Sequence, residues 1–204
     1  MKAISTFLAA AALAGCATTP ASADPQDEFF AALTARCGQA YAGRIETSEA
    51  ADADMQGKAM VMHIRHCTPE RIEIPFHIAG LGPDGGWDRS RTWIVTRTAG
   101  GLRLKHDHRH ADGSRDEVTM YGGDTAAPGT ATRQEFPVNA ESIAMFTRTG
   151  RSVSNTNVWA MEATASRLRL RTETREPPFP RRLCVERSGR SPARALGVVS
   201  LPSP

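Results

Sequence analysis

From residue 43 onward, apolar and polar residues alternate along most of the chain, with short gaps rich in glycine, proline and aspartate. Alternation with a period of two places every second side chain on one face, which is typical of half-buried β-strands. In the segment 71–79, for example, Ile72, Ile74 and Ile78 share one face. The turn signals between such segments predict eight strands. We place them near residues 42–48, 58–67, 71–79, 91–98, 102–110, 115–121, 131–138 and 153–163.

Two segments have helical spacing instead. Phe29, Leu33 and Cys37 recur at helical intervals, which predicts a helix over residues 27–39. A helical turn also fits residues 140–148. Several short strands with few helices between them predict an all-β antiparallel fold. The succession of hairpins favours a β-barrel with a lipocalin-like meander and one N-terminal helix, and a β-sandwich is the alternative.

The N-terminus has the pattern of an export signal. A short basic start and an apolar run precede Leu13-Ala14-Gly15-Cys16, which resembles a bacterial lipobox. This predicts a signal peptide over residues 1–16, lipidation of Cys16 and a tether over residues 17–27. The product would be an outer-membrane lipoprotein that faces the periplasm and meets the membrane only through its anchor. Cleavage after Ala23 is the alternative, and it would release a soluble periplasmic or secreted protein.

Three further cysteines follow Cys16, in a compartment where cysteines commonly pair. We expect a disulfide between Cys37 and Cys67. Buried thiols at these positions are the alternative, because connectivity cannot be read from sequence. Cys184 lies in a C-terminal segment of different composition.

That segment begins at Leu168. Residues 168–204 hold eight arginines, three glutamates and six of the thirteen prolines, so they carry +5 and leave residues 1–167 at −2 of the chain's +3. The domain itself therefore lacks the basic surface typical of nucleic-acid binding. If the codons that could encode residues 168–185 are read one nucleotide later, they can encode two segments in which apolar and polar residues alternate, as in a pair of β-strands. We predict a monomeric β-barrel domain over residues 28–167, followed by an aberrant tail that is either a frameshift product or a genuine arm.

The strongest candidate for chemistry is a row of alternating histidines, His106, His108 and His110, followed by Asp112-Gly113. On a strand, these three rings share one face, spaced about 6 to 7 Å apart. A two-residue hairpin turn at Asp112-Gly113 fixes the register by counting outward. It places His108 opposite Glu117.

The same count places Leu104 opposite Tyr121, on the histidine face. Because this face carries leucines and the opposite face carries charges, we expect the histidines to point into the barrel. Arg91 and Trp93 would contribute to the rim of the same site.

Three interpretations of this histidine face remain open. The first is a polar pocket for a small-molecule ligand. Its lining would be His106, His108, His110, Glu117, Arg91, Trp93 and Tyr121. The second is a zinc or copper site held by the three histidines. The third is a structural hydrogen-bond network in which His108 pairs with Glu117.

Local catalytic motifs are missing from the sequence: there is no G-x-S-x-G, no cysteine beside a positioned histidine and no glycine loop before a helix. Serine, histidine and aspartate that meet only in space leave no such signature. A hydrolase therefore stays an alternative, and no catalytic residue is assigned.

Several motifs resemble a family of bacterial exported and lipoprotein domains. They are Ser90-Arg91-Thr92-Trp93, the histidine motif L-K-H-D-H-R-H-A-D-G over residues 104–113, and Asn157-Val158-Trp159-Ala160-Met161-Glu162. The resemblance covers roughly residues 29–163, and the chain departs from it after Ser166, which favours the frameshift interpretation. The resemblance implies export and a shared domain, and it implies no particular activity. The sequence thus predicts an exported small-ligand-binding lipoprotein, with a metal-binding protein or a hydrolase as alternatives.

Overall fold

A computed structural model describes residues 23–47, 50–174 and 198–200 of the chain. Its strands form two antiparallel sheets, so the predicted all-β antiparallel fold is confirmed. The strands are β1 (Ala40–Gly43), β2 (Met60–His63), β3 (His66–Cys67), β4 (Arg71–Ala79), β5 (Trp87–Thr98), β6 (Gly101–His108), β7 (Tyr121–Asp124), β8 (Arg133–Pro137), β9 (Asn157–Thr164), β10 (Arg167–Thr174) and β11 (Val198–Ser200).

The larger sheet has the order β1-β2-β4-β5-β6-β7, with β3 paired to β4. Alternation is clearest in β4, where Ile72 and Ile74 are fully buried while Arg71 and Glu73 are partly exposed. The predicted strand over residues 58–67 is divided between β2 and β3. A 3-10 helix, Ala50–Met55, precedes β2 and was not predicted.

The smaller sheet has the order β11-β10-β9-β8. Strand β10 begins at residue 167, where the composition predicted the end of the domain, and continues to residue 174. Leu168, Leu170 and Thr172 are each 1% exposed, so this strand contributes to the core. The arginines between them leave the core, and Arg169 pairs with Glu46 at 2.5 Å. Most of the predicted aberrant tail lies outside the described residues, and the frameshift stays a prediction.

The two sheets share one apolar core. At one edge they are joined by an isolated bridge between Gly123 of β7 and Val138, just after β8. The Asn139 N–H also donates to the Gly122 carbonyl at 3.1 Å. At the other edge β1 contacts β11. Within the described ranges the hydrogen-bonded ladders do not close into a barrel, so the arrangement is two antiparallel sheets around one core, bridged at one edge and in contact at the other.

Helix α1 covers Pro25–Thr34, whereas the spacing predicted residues 27–39. It begins inside the predicted tether because the Asp24 side chain caps it, accepting from the Gln26 N–H at 2.8 Å, and Pro25 suits the first turn. It ends before a turn that closes at Gly38, whose φ is +85°. Its apolar side packs into the core through Phe29, Phe30 and Leu33.

Helix α2 covers Ala140–Arg148, as predicted. Asn139 caps it by accepting from the Ser142 N–H at 3.1 Å. Phe146 is buried and lies 5.3 Å from the Tyr121 ring, measured between ring centroids. The helix therefore covers the end of the larger sheet where β7 begins.

The predicted disulfide between Cys37 and Cys67 is confirmed, with a sequence separation of 30. It joins the turn after α1 to β3. Cys16, the predicted signal peptide and Cys184 lie outside the described residues. In the described part of the chain, no helix has the length and apolar character needed to cross a bilayer.

Candidate functional site

Strand β6 carries two of the three alternating histidines into the interior. His106 is 4% exposed, and the side chain of His108 is 28% exposed. His110 lies beyond the end of the strand and is exposed. The predicted inward direction is therefore correct for His106 and His108 and wrong for His110.

The turn after β6 has three residues rather than the predicted two. The His110 N–H donates to the Ser114 carbonyl at 2.9 Å, and the Gly113 N–H donates to the His110 carbonyl at 3.0 Å. Gly113 has a φ of +85°, the left-handed conformation that a three-residue hairpin loop requires at its last position. Arg109 consequently pairs with Arg115.

A second irregularity separates this turn from β7. Residues 116–120 leave the ladder, and His106 pairs with Tyr121 rather than with the residue two positions earlier. Glu117 is exposed and lies in a surface depression beside α2. The predicted pairing of Glu117 with His108 is wrong, because the turn holds three residues rather than two, and the Asp116 N–H instead donates to the His108 carbonyl at 3.2 Å.

His106 is enclosed by aromatic rings. Trp93 stacks on it with 4.2 Å between ring centroids, and His108 lies nearly parallel at 5.8 Å. Tyr121 meets it edge-on, with its hydroxyl 2.5 Å from His106 Nδ1. The cause is the register, since Trp93, His106 and Tyr121 are direct cross-strand neighbours on β5, β6 and β7.

A cavity of about 180 Å³ adjoins these rings. Its lining combines four apolar and four polar or charged residues: Met55, Met62, Phe76, Trp93, Arg91, His106, His108 and Tyr121. Five of the seven residues predicted for ligand binding thus line one cavity, and His110 and Glu117 do not.

The apolar wall was missed by the sequence analysis. Met62 and Phe76 are cross-strand partners on the core face of β2 and β4, so alternation places them inside without distinguishing a cavity wall from solid core. Met55 ends the 3-10 helix, for which periodicity gave no signal.

Burial keeps the central pair of polar rings uncharged. Desolvation lowers the pKa of His106 well below its ordinary value, and the nearby His108 and Arg91 lower it further. Desolvation also raises the pKa of Tyr121 to about 12. With both groups neutral, we assign the Tyr121 hydroxyl as donor to Nδ1, which places the ring proton on Nε2. That buried nitrogen has no hydrogen-bond partner among the residues that the structure describes.

The lowered pKa of His106 makes the fold sensitive to acid. Below about pH 6.5 the unfolded chain binds a proton at this histidine that the folded chain does not bind, so protons favour unfolding. We expect the free energy of unfolding to fall by about 1.4 kcal/mol per pH unit from this residue alone, between pH 6.5 and its folded pKa. Urea unfolding between pH 7.5 and pH 5.0 measures this slope.

His106→Gln should remove that contribution, leaving a smaller slope from His77 and His108, whose pKa values burial also lowers. His110→Gln is the matched control, because this histidine is exposed, and its slope should equal that of the wild type. Identical slopes in His106→Gln and the wild type would contradict the assignment.

The zinc or copper interpretation gains no support from this geometry. Among residues 23–47, 50–174 and 198–200, no three His, Cys, Asp or Glu side chains are grouped to hold a metal ion. The rings of His106 and His108 are parallel to within 9°, and imidazole lone pairs lie in the ring plane, so the two rings are not directed at one point.

The chain matches no protein-family model, no curated protein and no solved structure. The family resemblance of its motifs therefore stays a prediction.

Proposed function

We propose that this chain is an exported lipoprotein, anchored through Cys16 and facing the periplasm, that binds a small molecule in the cavity beside His106. The observation that carries this proposal is the cavity of about 180 Å³, which combines an apolar wall with His106, a lining residue whose buried Nε2 has no hydrogen-bond partner in the described part of the chain. Ligand sites commonly have this composition: mostly apolar surfaces, with a few fixed polar groups that orient the ligand.

The size of the cavity restricts the ligand. An engineered apolar cavity of about 150 Å³ accommodates benzene. A cavity of about 180 Å³ therefore suits a ligand with a body of one ring or a short chain. Trp93 offers a ring face and Met55, Met62 and Phe76 offer flexible or flat apolar contacts.

The polar side of the cavity restricts the ligand's chemistry. Arg91 is a cation whose side chain is 28% exposed, and His106 Nε2 is assigned as a donor. Both groups favour a ligand that presents a hydrogen-bond acceptor, such as a carbonyl or carboxylate oxygen. Asp88 pairs with Arg91 and partly offsets its charge, so neutral acceptors are admitted as well as anions.

Calorimetric titration with benzoate, benzamide and toluene as probes tests this proposal. We expect benzoate and benzamide to bind more tightly than toluene, because toluene leaves the polar groups unpaired. Met55→Phe places a larger side chain at the cavity wall and should weaken benzamide binding at least tenfold, about 1.4 kcal/mol.

Leu81→Phe is the control variant, since Leu81 is another partly buried apolar residue that packs on the core but does not line the cavity. Its affinity for benzamide should match that of the wild type. Absence of binding by all three probes, or equal weakening by both variants, would reject the cavity as a ligand site.

A further inference from the structure

Three side chains beside the cavity form a connected series that the sequence analysis did not assign. The Ser90 Oγ lies 3.1 Å from His108 Nε2. The opposite nitrogen of the same ring, His108 Nδ1, lies 3.5 Å from Asp116 Oδ2. This is the order of contacts in a nucleophile, base and carboxylate triad, which is recognised by geometry rather than by sequence position.

Backbone pairing places these residues together. In the ladder between β5 and β6, Arg91 is the partner of His108, so Ser90 lies one residue from that pair. The Arg109 N–H donates to the Ser90 carbonyl at 2.9 Å, which fixes the serine backbone against β6. After the hairpin turn, the Asp116 N–H donates to the His108 carbonyl at 3.2 Å. This bond holds the Asp116 backbone beside His108, so the carboxylate lies next to the histidine ring.

The protonation state of His108 suits a base. Burial lowers its pKa, and Arg91 lowers it further, while Asp116 acts in the opposite direction. The ring is therefore neutral at pH 7. A carboxylate beside Nδ1 favours the tautomer with the proton on that nitrogen, which leaves the Nε2 lone pair facing the serine hydroxyl.

Arg91 adds a positive charge at the same point. Its Nη1 donates to Ser90 Oγ at 3.2 Å, and its side chain lines the cavity together with His108. The serine oxygen thus accepts from Arg91 and donates its own proton toward His108. A carbonyl oxygen in the cavity that approaches Arg91 would have its developing negative charge stabilised by a fixed cation.

We propose that Ser90, His108 and Asp116 hydrolyse carboxylic esters whose acyl group fits the cavity, with Arg91 stabilising the oxyanion. This inference rests on the proposed function, because the same cavity holds the acyl group. Ser90 and His108 are the catalytic residues, and Asp116 is a positioning residue that acts through His108.

The reaction proceeds by acyl transfer in two halves. Ser90 Oγ attacks the ester carbonyl carbon while its proton moves to His108 Nε2, and collapse of the tetrahedral adduct breaks the ester C–O bond. The leaving alkoxide takes the proton from Nε2. A water then attacks the acyl-serine, gives its proton to Nε2 and forms the carboxylic acid, while the serine oxygen recovers that proton.

Hydrolysis of p-nitrophenyl acetate by the purified full chain tests the proposal. Ser90→Ala should lower kcat/KM at least a thousandfold relative to the wild type, because it removes the nucleophile. Ser114→Ala is the matched control, since this exposed serine bonds Asp112 in the hairpin turn and should hydrolyse the ester at the wild-type rate. Wild-type activity in Ser90→Ala would overturn the proposal.

Two further measurements distinguish a catalytic role of Ser90, His108 and Asp116 from a purely structural one. Phenylmethylsulfonyl fluoride should add one sulfonyl group to Ser90, located by peptide mass spectrometry, and Ser90→Ala should not react. Asp116→Asn should lower kcat at least a hundredfold and alter the pH profile of kcat/KM, which in the wild type rises through the pKa of His108 and is flat at neutral pH. An unmodified Ser90 together with an unchanged pH profile would show that the three residues form a structural network only.

Benzamide titration of Ser90→Ala distinguishes the two proposals. Binding that equals the wild type, without ester hydrolysis or sulfonylation in the wild type, retains the binding protein and rejects the triad. Sulfonylation of wild-type Ser90 without binding of any one-ring probe rejects the cavity as a ligand site and retains the reactive serine.

Discussion

Gly123→Ala is expected to destabilise the protein by about 4 kcal/mol, at the upper end of effects for a single substitution. A Cβ at this position would lie 1.7 Å from the Pro137 carbonyl oxygen and 2.5 Å from its carbon. These are backbone atoms of β8, and they cannot move away without breaking the bridge between Gly123 and Val138 that joins the two sheets. Urea unfolding measures the loss.

Gly100→Ala is the matched control for this effect. Gly100 lies in the tight turn between β5 and β6, and a Cβ there meets no heavy atom within 4 Å. Its free energy of unfolding should stay within about 0.5 kcal/mol of the wild type. Equal stability of the two variants would show that the sheets are not held as closely at Gly123 as the structure indicates.

Removal of the Cys37–Cys67 disulfide is expected to cost about 3 to 4 kcal/mol. The bond closes a segment of 30 residues, and the chain-entropy estimate for a loop of this length gives that range. The double variant Cys37→Ser, Cys67→Ser, compared with the wild type by urea unfolding, measures the contribution.

A reducing agent supplies the control. Dithiothreitol should lower the free energy of unfolding of the wild type by a similar amount, because Cys37 is exposed, and should leave the double variant unchanged. A similar loss in the double variant on addition of dithiothreitol would show that the reductant acts elsewhere.

The parts of the fold that the sequence predicted well have strong, uninterrupted periodicity. In β4, the large apolar residues from Ile72 to Ile78 occupy every second position and face the core. The bounds of the strand match the predicted 71–79. Helix α2 also begins and ends as predicted, because Asn139 caps a segment whose apolar residues recur at helical spacing. In both cases the local pattern and the tertiary packing favour the same conformation.

Strand β10 was missed because its polar residues are arginines rather than a mixture of polar types. Leu168 and Leu170 alternate with Arg167, Arg169 and Arg171, which has the period of a half-buried strand. The change in composition at residue 168 was given more weight than this alternation. Composition describes what a segment contains, whereas the order of its residues determines which side chains reach the core.

The candidate site was predicted in part for a similar reason. Strand periodicity correctly brought Arg91, Trp93 and His106 to one face, because all three lie on regular strands. Ser90 was not assigned because strand alternation places it on the face opposite its neighbour Arg91. Asp116 was not assigned because its place opposite His108 depends on a turn of three residues rather than two. Counting from an assumed two-residue turn instead placed Glu117 opposite His108.

Together with the proposed lipid at Cys16, the start of α1 at Pro25 would limit how far from the membrane the protein acts. With Cys16 as the proposed lipid attachment point, only residues 17–24 separate the bilayer surface from a helix that is packed into the core. Eight residues span at most about 28 Å when fully extended, which is less than the expected diameter of a domain of about 150 residues. We therefore expect the cavity to stay close to the membrane in which the protein is anchored. There it would bind molecules that leave or approach that leaflet, and it would not reach the opposite side of the periplasm.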